Sequence, residues 1–295
     1  MLARRATLAL FACASCGSED PESEALLRYG PWTEALDASQ AGWMMSTWGP
    51  DETTQYVVGG APAAGVIFRS AGGSWAPMSI PDDTPIINWV HGTSPEHVWA
   101  VGDGGTILRL EGGEWRRVPS PTTQNLWGVF AVTPGDVWAV GGGTTPPTVD
   151  AEPTVLRWDG AAWSVVSVPA LEPAAASQLF KVWASGPADV YIVGALGVIL
   201  NWDGEELRQV LERPVDHAQD YISLWGTGPD HVVVVGGRNA PQIAFFDGST
   251  WHPLMLDRGV PLNGVWMGEP SCSTLEVQGA WSQPRASCRR APRPS

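Results

Sequence analysis

The chain has 295 residues and a formal net charge of −14, with 17 tryptophans but a single lysine, Lys181. Its 34 glycines and 26 prolines follow no three-residue period, which excludes a collagen-like fibre. A hydrophobic content of 44% is that of a globular protein and argues against wholesale disorder. Residues 1–16 and 271–295 are net basic, so the middle of the chain is more acidic than the whole. Such a body repels phosphate backbones, so we expect no nucleic-acid partner.

The N-terminus has the features of an export signal. Arg4 and Arg5 precede an apolar run, residues 6–12, that is too short to span a bilayer. The residues LFACASCGSED resemble a bacterial lipoprotein signal, in which a cysteine is acylated and becomes the mature N-terminus. The resemblance implies lipidation of Cys16, with Cys13 as the alternative, and an ordinary cleaved signal stays open. We therefore expect a signal peptide over residues 1–16 and a tether over residues 17–25.

An internal repeat organises residues 26–268. The copy HVWAVGDGGTILRLEGGEW, which begins at His97, recurs four times in modified form. The glycine after its β-branched run recurs at intervals of 39 to 53 residues, at Gly59, Gly102, Gly141, Gly194 and Gly236. The longest interval contains an inserted loop rich in proline and threonine, residues 143–153. A period of about 42 residues is typical of a repeat architecture.

Each repeat contains four short runs in which Val, Ile, Trp and Leu alternate with polar or small residues, separated by turn signals. Four strands per unit of about 40 residues predict an all-β fold, a β-propeller. Residues 27–32 look like the second half of a repeat, and residues 262–268 like a first half. We therefore predict about six four-stranded blades, with the two ends of the propeller sharing one blade. Asp159-Gly160 and Asp247-Gly248 predict tight hairpin turns with positive φ at glycine.

The repeat stops after Pro270, and residues 269–295 form a basic segment rich in Arg, Pro and Ser. Two explanations stay open for this segment. It is either a genuine irregular tail, with a disulfide between Cys272 and Cys288 in an oxidising envelope, or the product of a truncation or frame shift. In the second case further repeats would raise the number of blades to seven or more.

The segment VWAVGDGGTILRLEGGEW resembles the repeats of photosystem-assembly-factor-like and sialidase-like (Asp-box) propellers. The fuller repeat pattern is similar to that of Trp-rich propeller lipoproteins of soil bacteria. The resemblance covers residues 26–268 and implies the propeller fold. An Asp-box places its aspartate five residues before the aromatic residue, whereas Asp247 lies four before Trp251. The arginine triad and tyrosine nucleophile of sialidases have no counterpart in the sequence, so the resemblance implies a fold and no reaction.

Most tryptophans recur at equivalent positions beside alternating Val and Ile. A ligand platform would not recur in every blade, so we interpret these rings as packing between blades. The interpretation applies to Trp99, Trp115, Trp138, Trp163 and Trp251. Trp43 and Trp89 stay as candidates for ligand binding.

Two sets of polar or charged residues also recur at equivalent positions of the repeats, and we call each set a column. His97, Asp136, Asp189 and His231 each precede a strand, where we expect hydrogen bonds to turn amides rather than metal ligation or acid–base chemistry. We interpret Arg69, Arg109 and Arg157 as a solvated face rather than an anion clamp. Motifs for metal or phosphate binding are missing from the sequence, and no cofactor is expected.

The sequence therefore predicts a non-catalytic binding or scaffold module, exported and lipid-anchored at the outer membrane of a bacterial cell envelope. Its partner would be a protein or glycan held by loops at one rim, where sequence varies most freely. The candidate loop residues are Thr144, Thr145, Pro146, Pro147, Asp150 and Glu152. The alternative is a glycan-processing propeller enzyme of sialidase- or lyase-like type, which would need carboxylates and arginines of different blades to converge at one channel mouth.

Overall fold

The computed structural model describes residues 34–143, 151–211, 219–238, 240–256 and 261–267, and the backbone of 275–279. Within these ranges the chain is built from β-strands, with two single 3-10 turns and no α-helix. None of the described helical segments has the length or apolar character that a membrane span requires. Several predicted features lie outside the described residues: Cys13, Cys16, residues 27–32, Thr144, Thr145, Pro146, Pro147, Asp150, Cys272 and Cys288.

Five four-stranded antiparallel sheets, each built from consecutive strands, follow one another along the chain as blades 1 to 5. Blade 1 contains β1 (Trp43–Trp48), β2 (Thr54–Ala61), β3 (Ala64–Ala71) and β4 (Ser74–Pro77). Blade 2 contains β5 (Ile87–Ser94), β6 (His97–Gly102), β7 (Ile107–Glu111) and β8 (Glu114–Arg117). Blade 3 contains β9 (Leu126–Thr133), β10 (Asp136–Gly141), β11 (Thr154–Trp158) and β12 (Trp163–Val165).

The remaining strands continue the pattern. Blade 4 contains β13 (Leu179–Gly186), β14 (Asp189–Gly194), β15 (Ile199–Trp202) and β16 (Leu207–Gln209). Blade 5 contains β17 (Tyr221–Gly228), β18 (His231–Gly236), β19 (Gln242–Phe246) and β20 (Trp251–Met255). A two-stranded sheet follows, β21 (Leu262–Met267) with β22 (Leu275–Gly279), so a strand lies inside the segment 269–295 that we expected to be irregular.

The first strands of consecutive blades pack side by side, from β1 through β5, β9, β13 and β17 to β21. They therefore surround a common axis, and the space along this axis is the central channel. The all-β propeller prediction is confirmed, with five four-stranded blades and the two strands of a sixth among the described residues. Completion of the sixth blade by residues 27–32 stays a prediction.

Aromatic rings fill the space between neighbouring blades, because sheets that radiate from an axis separate towards the outside. Between blades 2 and 3, Trp99 of β6 contacts Trp158 and Trp163 of the outer strands of blade 3, with ring centroids 5.0 and 5.3 Å apart. The packing interpretation is confirmed for the five tryptophans it was applied to, which are all less than 10% exposed: Trp99, Trp115, Trp138, Trp163 and Trp251.

The Asp-Gly turns between outer strands are as predicted. Asp159 accepts hydrogen bonds from the N–H groups of Ala161 and Ala162 through Oδ1, and Gly160 has a φ of +99°. The turn at Asp247 is built in the same way, with Gly248 at +91°. Each aspartate thus stabilises its hairpin by accepting the N–H groups of the turn.

Candidate functional site

The propeller has two rims. The first rim is defined as the edge formed by the turns between second and third strands and by the connections between blades. Asp103–Gly105 and Ala195–Gly197 are two of these turns. The second rim is formed by the turns between first and second strands and between third and outer strands, such as Gly112-Gly113. Each first strand runs from the first rim to the second, so its opening residues line the channel near the first rim.

A β-bulge near the start of the first strands shapes this part of the channel. In blades 2, 3 and 4 the pairing skips one residue and resumes at Trp89, Gly128 and Lys181, which are opposite Val101, Val140 and Val193. The three residues are therefore equivalent and occupy the same height along the channel. Bulges turn side chains away from regular pairing and are frequent beside functional sites.

The side chain of Lys181 extends along the inner wall of the channel from blade 4 to blade 2. Its Nζ donates a hydrogen bond to the backbone oxygen of Trp127 in blade 3, at 3.0 Å, and lies 3.6 Å from the ring centroid of Trp89 in blade 2. Gly128 makes this reach possible, because it leaves no side chain between the two ends at the same height. A cation over an indole at this distance is a strong cation–π contact.

The surroundings of Lys181 are short of negative charge. Burial lowers the pKa of the Lys181 amine from 10.5 to about 7. No ion pair joins it to a carboxylate within the part of the chain that the structure describes. Near neutral pH the amine is therefore present in both protonation states, and the ammonium form gains from any acceptor that enters the channel.

The first rim around Lys181 is held by hydrogen bonds within blades 2 and 3 and by one between them. Asn88, the bulge residue of blade 2, donates from Nδ2 to Asp103 Oδ1 at 2.9 Å and to Leu126 O at 3.0 Å. Trp127, the bulge residue of blade 3, donates from Nε1 to Gly142 O at 3.0 Å. These bonds fix the backbone around Lys181, so the site is preformed.

The same hydrogen bond between neighbouring blades occurs at two places on the first rim. The Gly104 N–H donates to Asn125 Oδ1, and the equivalent Leu196 N–H donates to Asp220 Oδ1. In both cases a polar side chain at the start of a first strand satisfies a turn of the preceding blade. Neighbouring blades are thus joined at the mouth of the channel.

His91 belongs to a column of rings further along the first strands. Its ring stacks on Phe130 with centroids 4.2 Å apart, and its Nδ1 accepts a hydrogen bond from the Ala131 N–H at 3.0 Å. Burial lowers the pKa of His91 to about 3. The imidazole is therefore neutral, carries its proton on Nε2 and acts as a packing ring rather than an acid or base.

The Asp/His column makes local contacts, as expected, but its partners are side chains rather than turn amides. Asp136 holds Arg157 through two bonds of 2.9 and 3.0 Å, and Asp189 accepts from Asn201 at 3.1 Å. His97 and His231 lie within 3.0 Å of Ser94 and Asp230. Among the residues with described positions, no three His, Cys, Asp or Glu side chains are grouped as a metal site requires.

The interpretation of the arginine column as a solvated face is wrong for two of its members. Arg109 lies between Trp99 of its own blade and Trp158 of the next, with Cζ 5.1 and 5.5 Å from the ring centroids. Arg157 lies in the same way between Trp138 and Trp202, at 5.0 and 5.4 Å. The guanidinium groups are part of the packing because their flat faces suit stacking on indoles. Arg69 is exposed.

One candidate loop residue, Glu152, has a described position. It lines an open groove of about 510 Å³ with Ser120, Thr122, Gln124 and Val165, beside the inserted loop. Trp43, one of the two indoles left as candidates for binding, is 62% exposed, and the other, Trp89, lies beneath Lys181. The described arginine–carboxylate pairs each lie within one blade, so the convergence that the enzyme alternative needs is not seen among them.

Comparison with known proteins identifies the architecture. No protein-family model matches the chain, and no curated protein matches its sequence. The structure of YCF48 bound to D1 peptide superposes with a TM-score of 0.58 at 15% identity, over 84% of this chain and 78% of that one. The chain has a β-propeller fold. The RRP9 WD40 repeats give 0.58 at 12% identity, over 77% and 70%, and U3-55K gives 0.57 at 10%, over 77% and 71%. At these identities the likeness shows the fold alone.

Proposed function

We propose that this propeller is a non-catalytic binding or scaffold module of the bacterial cell envelope, and that it holds a partner protein at the first rim. Lys181 carries the proposal: its amine lies at the channel mouth, beside the indole of Trp89, without a carboxylate among the described residues to neutralise it. A carboxylate or carbonyl group of a partner would supply the missing acceptor.

Two further observations support this function. The backbone beside the site is held by hydrogen bonds within and between blades, so that little conformational entropy is lost when a partner binds. The propeller whose structure is similar over most of the chain, YCF48, is described in complex with a peptide. The loop residues Thr144, Thr145, Pro146, Pro147, Asp150 and Glu152 would extend the same rim and contribute to specificity.

The test compares the wild type with Lys181→Met, which keeps the length and the apolar stem of the side chain but removes the amine. Arg116→Met is the matched control, because it removes a cation from an exposed ion pair of blade 2. Each tagged protein is used to capture partners from envelope extract, followed by quantitative mass spectrometry. We expect proteins that are retained by the wild type and by R116M and lost with K181M. The same set retained by K181M would contradict the proposal.

Export and acylation at Cys16, with Cys13 as the alternative, form a separate part of the proposal. Palmitate labelling of the wild type, Cys16→Ser and Cys13→Ser tests it: one of the two substitutions is expected to abolish the label. Unlabelled wild type would refute lipid anchoring and leave the binding function at the first rim untouched.

A further inference from the structure

Three interfaces, between blades 2 and 3, 3 and 4, and 4 and 5, share one plan. In each of the three, a ring from the second strand of one blade contacts a ring at the end of the third strand of the next. The pairs are Trp99 with Trp158, Trp138 with Trp202, and Tyr191 with Phe246. Where the first blade supplies an arginine, its guanidinium lies between the two rings.

The interface between blades 1 and 2 departs from this plan. Arg69 is opposite Tyr56, as Arg109 is opposite Trp99, so blade 1 supplies both the ring and the cation. Blade 2 supplies Leu110, which is opposite Trp115 just as Trp158 is opposite Trp163. The second ring of the sandwich is therefore missing here.

A cavity occupies the place of the missing ring. It has a volume of about 370 Å³ and is lined by Tyr56, Arg69, Leu110, Met78, Glu96 and Gly112. We call it the notch. Its volume lies at the lower end of the range for ligand sites, so it suits a single side chain better than a whole cofactor.

The notch has the chemistry of a ring-binding site. Arg69 is exposed, with its Cζ 6.0 Å from the Tyr56 ring centroid. It interacts with the Tyr56 side chain and makes no ion pair with a described residue, so its guanidinium is accessible to a ring that enters the notch. Tyr56 is held in place by its hydroxyl, which donates to Pro95 O at 3.2 Å. The floor is apolar, and the mouth opens at the second rim beside Gly112 and Gly113, where a peptide backbone has room to pass.

We propose that the notch is a docking site for an aromatic side chain of a partner protein, which stacks on Arg69 and completes the sandwich that Trp158 and Trp202 complete within the chain. The site lies at the second rim and does not depend on the function proposed for the channel mouth. Its occupant is an indole or phenyl ring carried on an extended segment.

The probe is 5-fluoro-N-acetyltryptophanamide, observed by fluorine NMR line broadening against the full chain. We expect the wild type to bind it, with competition by N-acetylphenylalaninamide and none by N-acetylleucinamide. Leu110→Trp copies blades 3 and 4, so it should weaken binding at least about tenfold while the fold is retained. Leu254→Trp is the control, because it adds an indole at a position that is 55% exposed and far along the chain from the notch.

Arg69→Met keeps the proposal testable if L110W folds poorly: we expect it to weaken probe binding about three- to tenfold, from loss of the cation–π contact. Lys181→Met should leave probe binding unchanged, which separates the notch from the channel mouth. No broadening with the wild type, equal competition by the leucine amide, or undiminished binding by folded L110W or by R69M would each overturn the proposal.

Discussion

Lys181 should make the stability of the propeller depend on pH in an unusual direction. Its pKa is 10.5 in an ordinary environment and about 7 in the folded chain, because the channel wall buries the amine. Between these values the unfolded chain binds a proton that the folded chain has released, so the free energy of unfolding rises with pH. The full difference corresponds to about 5 kcal/mol of destabilisation below pH 7.

The measurement is urea unfolding of the wild type and Lys181→Met at several pH values from 6 to 9.5. All other groups titrate alike in the two proteins, so their difference isolates Lys181. From pH 6 to 9.5 the wild type should gain about 3 kcal/mol relative to K181M. A difference that stays constant over this range would refute the placement of the amine in a buried channel.

Two further predictions concern the ring column of the first strands. Gly226→Ala places a Cβ 2.3 Å from the Trp183 ring and should lower the free energy of unfolding by about 1–3 kcal/mol. Gly186→Ala is the control, because open space surrounds Gly186, and it should change the free energy of unfolding by less than about 0.5 kcal/mol. Equal effects of the two substitutions in thermal unfolding would contradict the packing of Trp183 against Gly226. Burial lowers the pKa of His91 to about 3, so the unfolded chain takes up a proton on this histidine at a higher pH than the folded chain does. This difference should cost the wild type about 3 kcal/mol of stability from pH 7 to 4.5. His91→Phe, which copies Phe130 of the next blade, should abolish this loss, and a pH profile unchanged by the substitution would contradict the burial of a neutral His91.

The fold was predictable because its signals are local and repeated. The Asp-Gly hairpins depend on residues a few positions apart, and the alternation within each strand is read from the same segment. Repetition then multiplies each signal, so a period of about 42 residues indicates blades without any long-range information. The last part of the propeller was less predictable: β22 lies in a segment whose composition differs from the repeats.

The sites were harder to predict because they depend on contacts between blades. Arg109 was expected to be solvated, since nothing within its own repeat shows that Trp158 of the next blade covers it. The reach of Lys181 across Gly128 to Trp89 depends on the radius of the channel and on the bulges, neither of which spacing reveals. A signal was present: the one lysine of the chain lies within an apolar strand, LFKVWASG.

The stacked arginines have a consequence for how the chain is divided. Arg157 and Trp138 belong to one sheet and Trp202 to the next. The stack of these three side chains therefore spans the boundary between two repeats. A fragment cut at that boundary would expose an indole on each side and should aggregate.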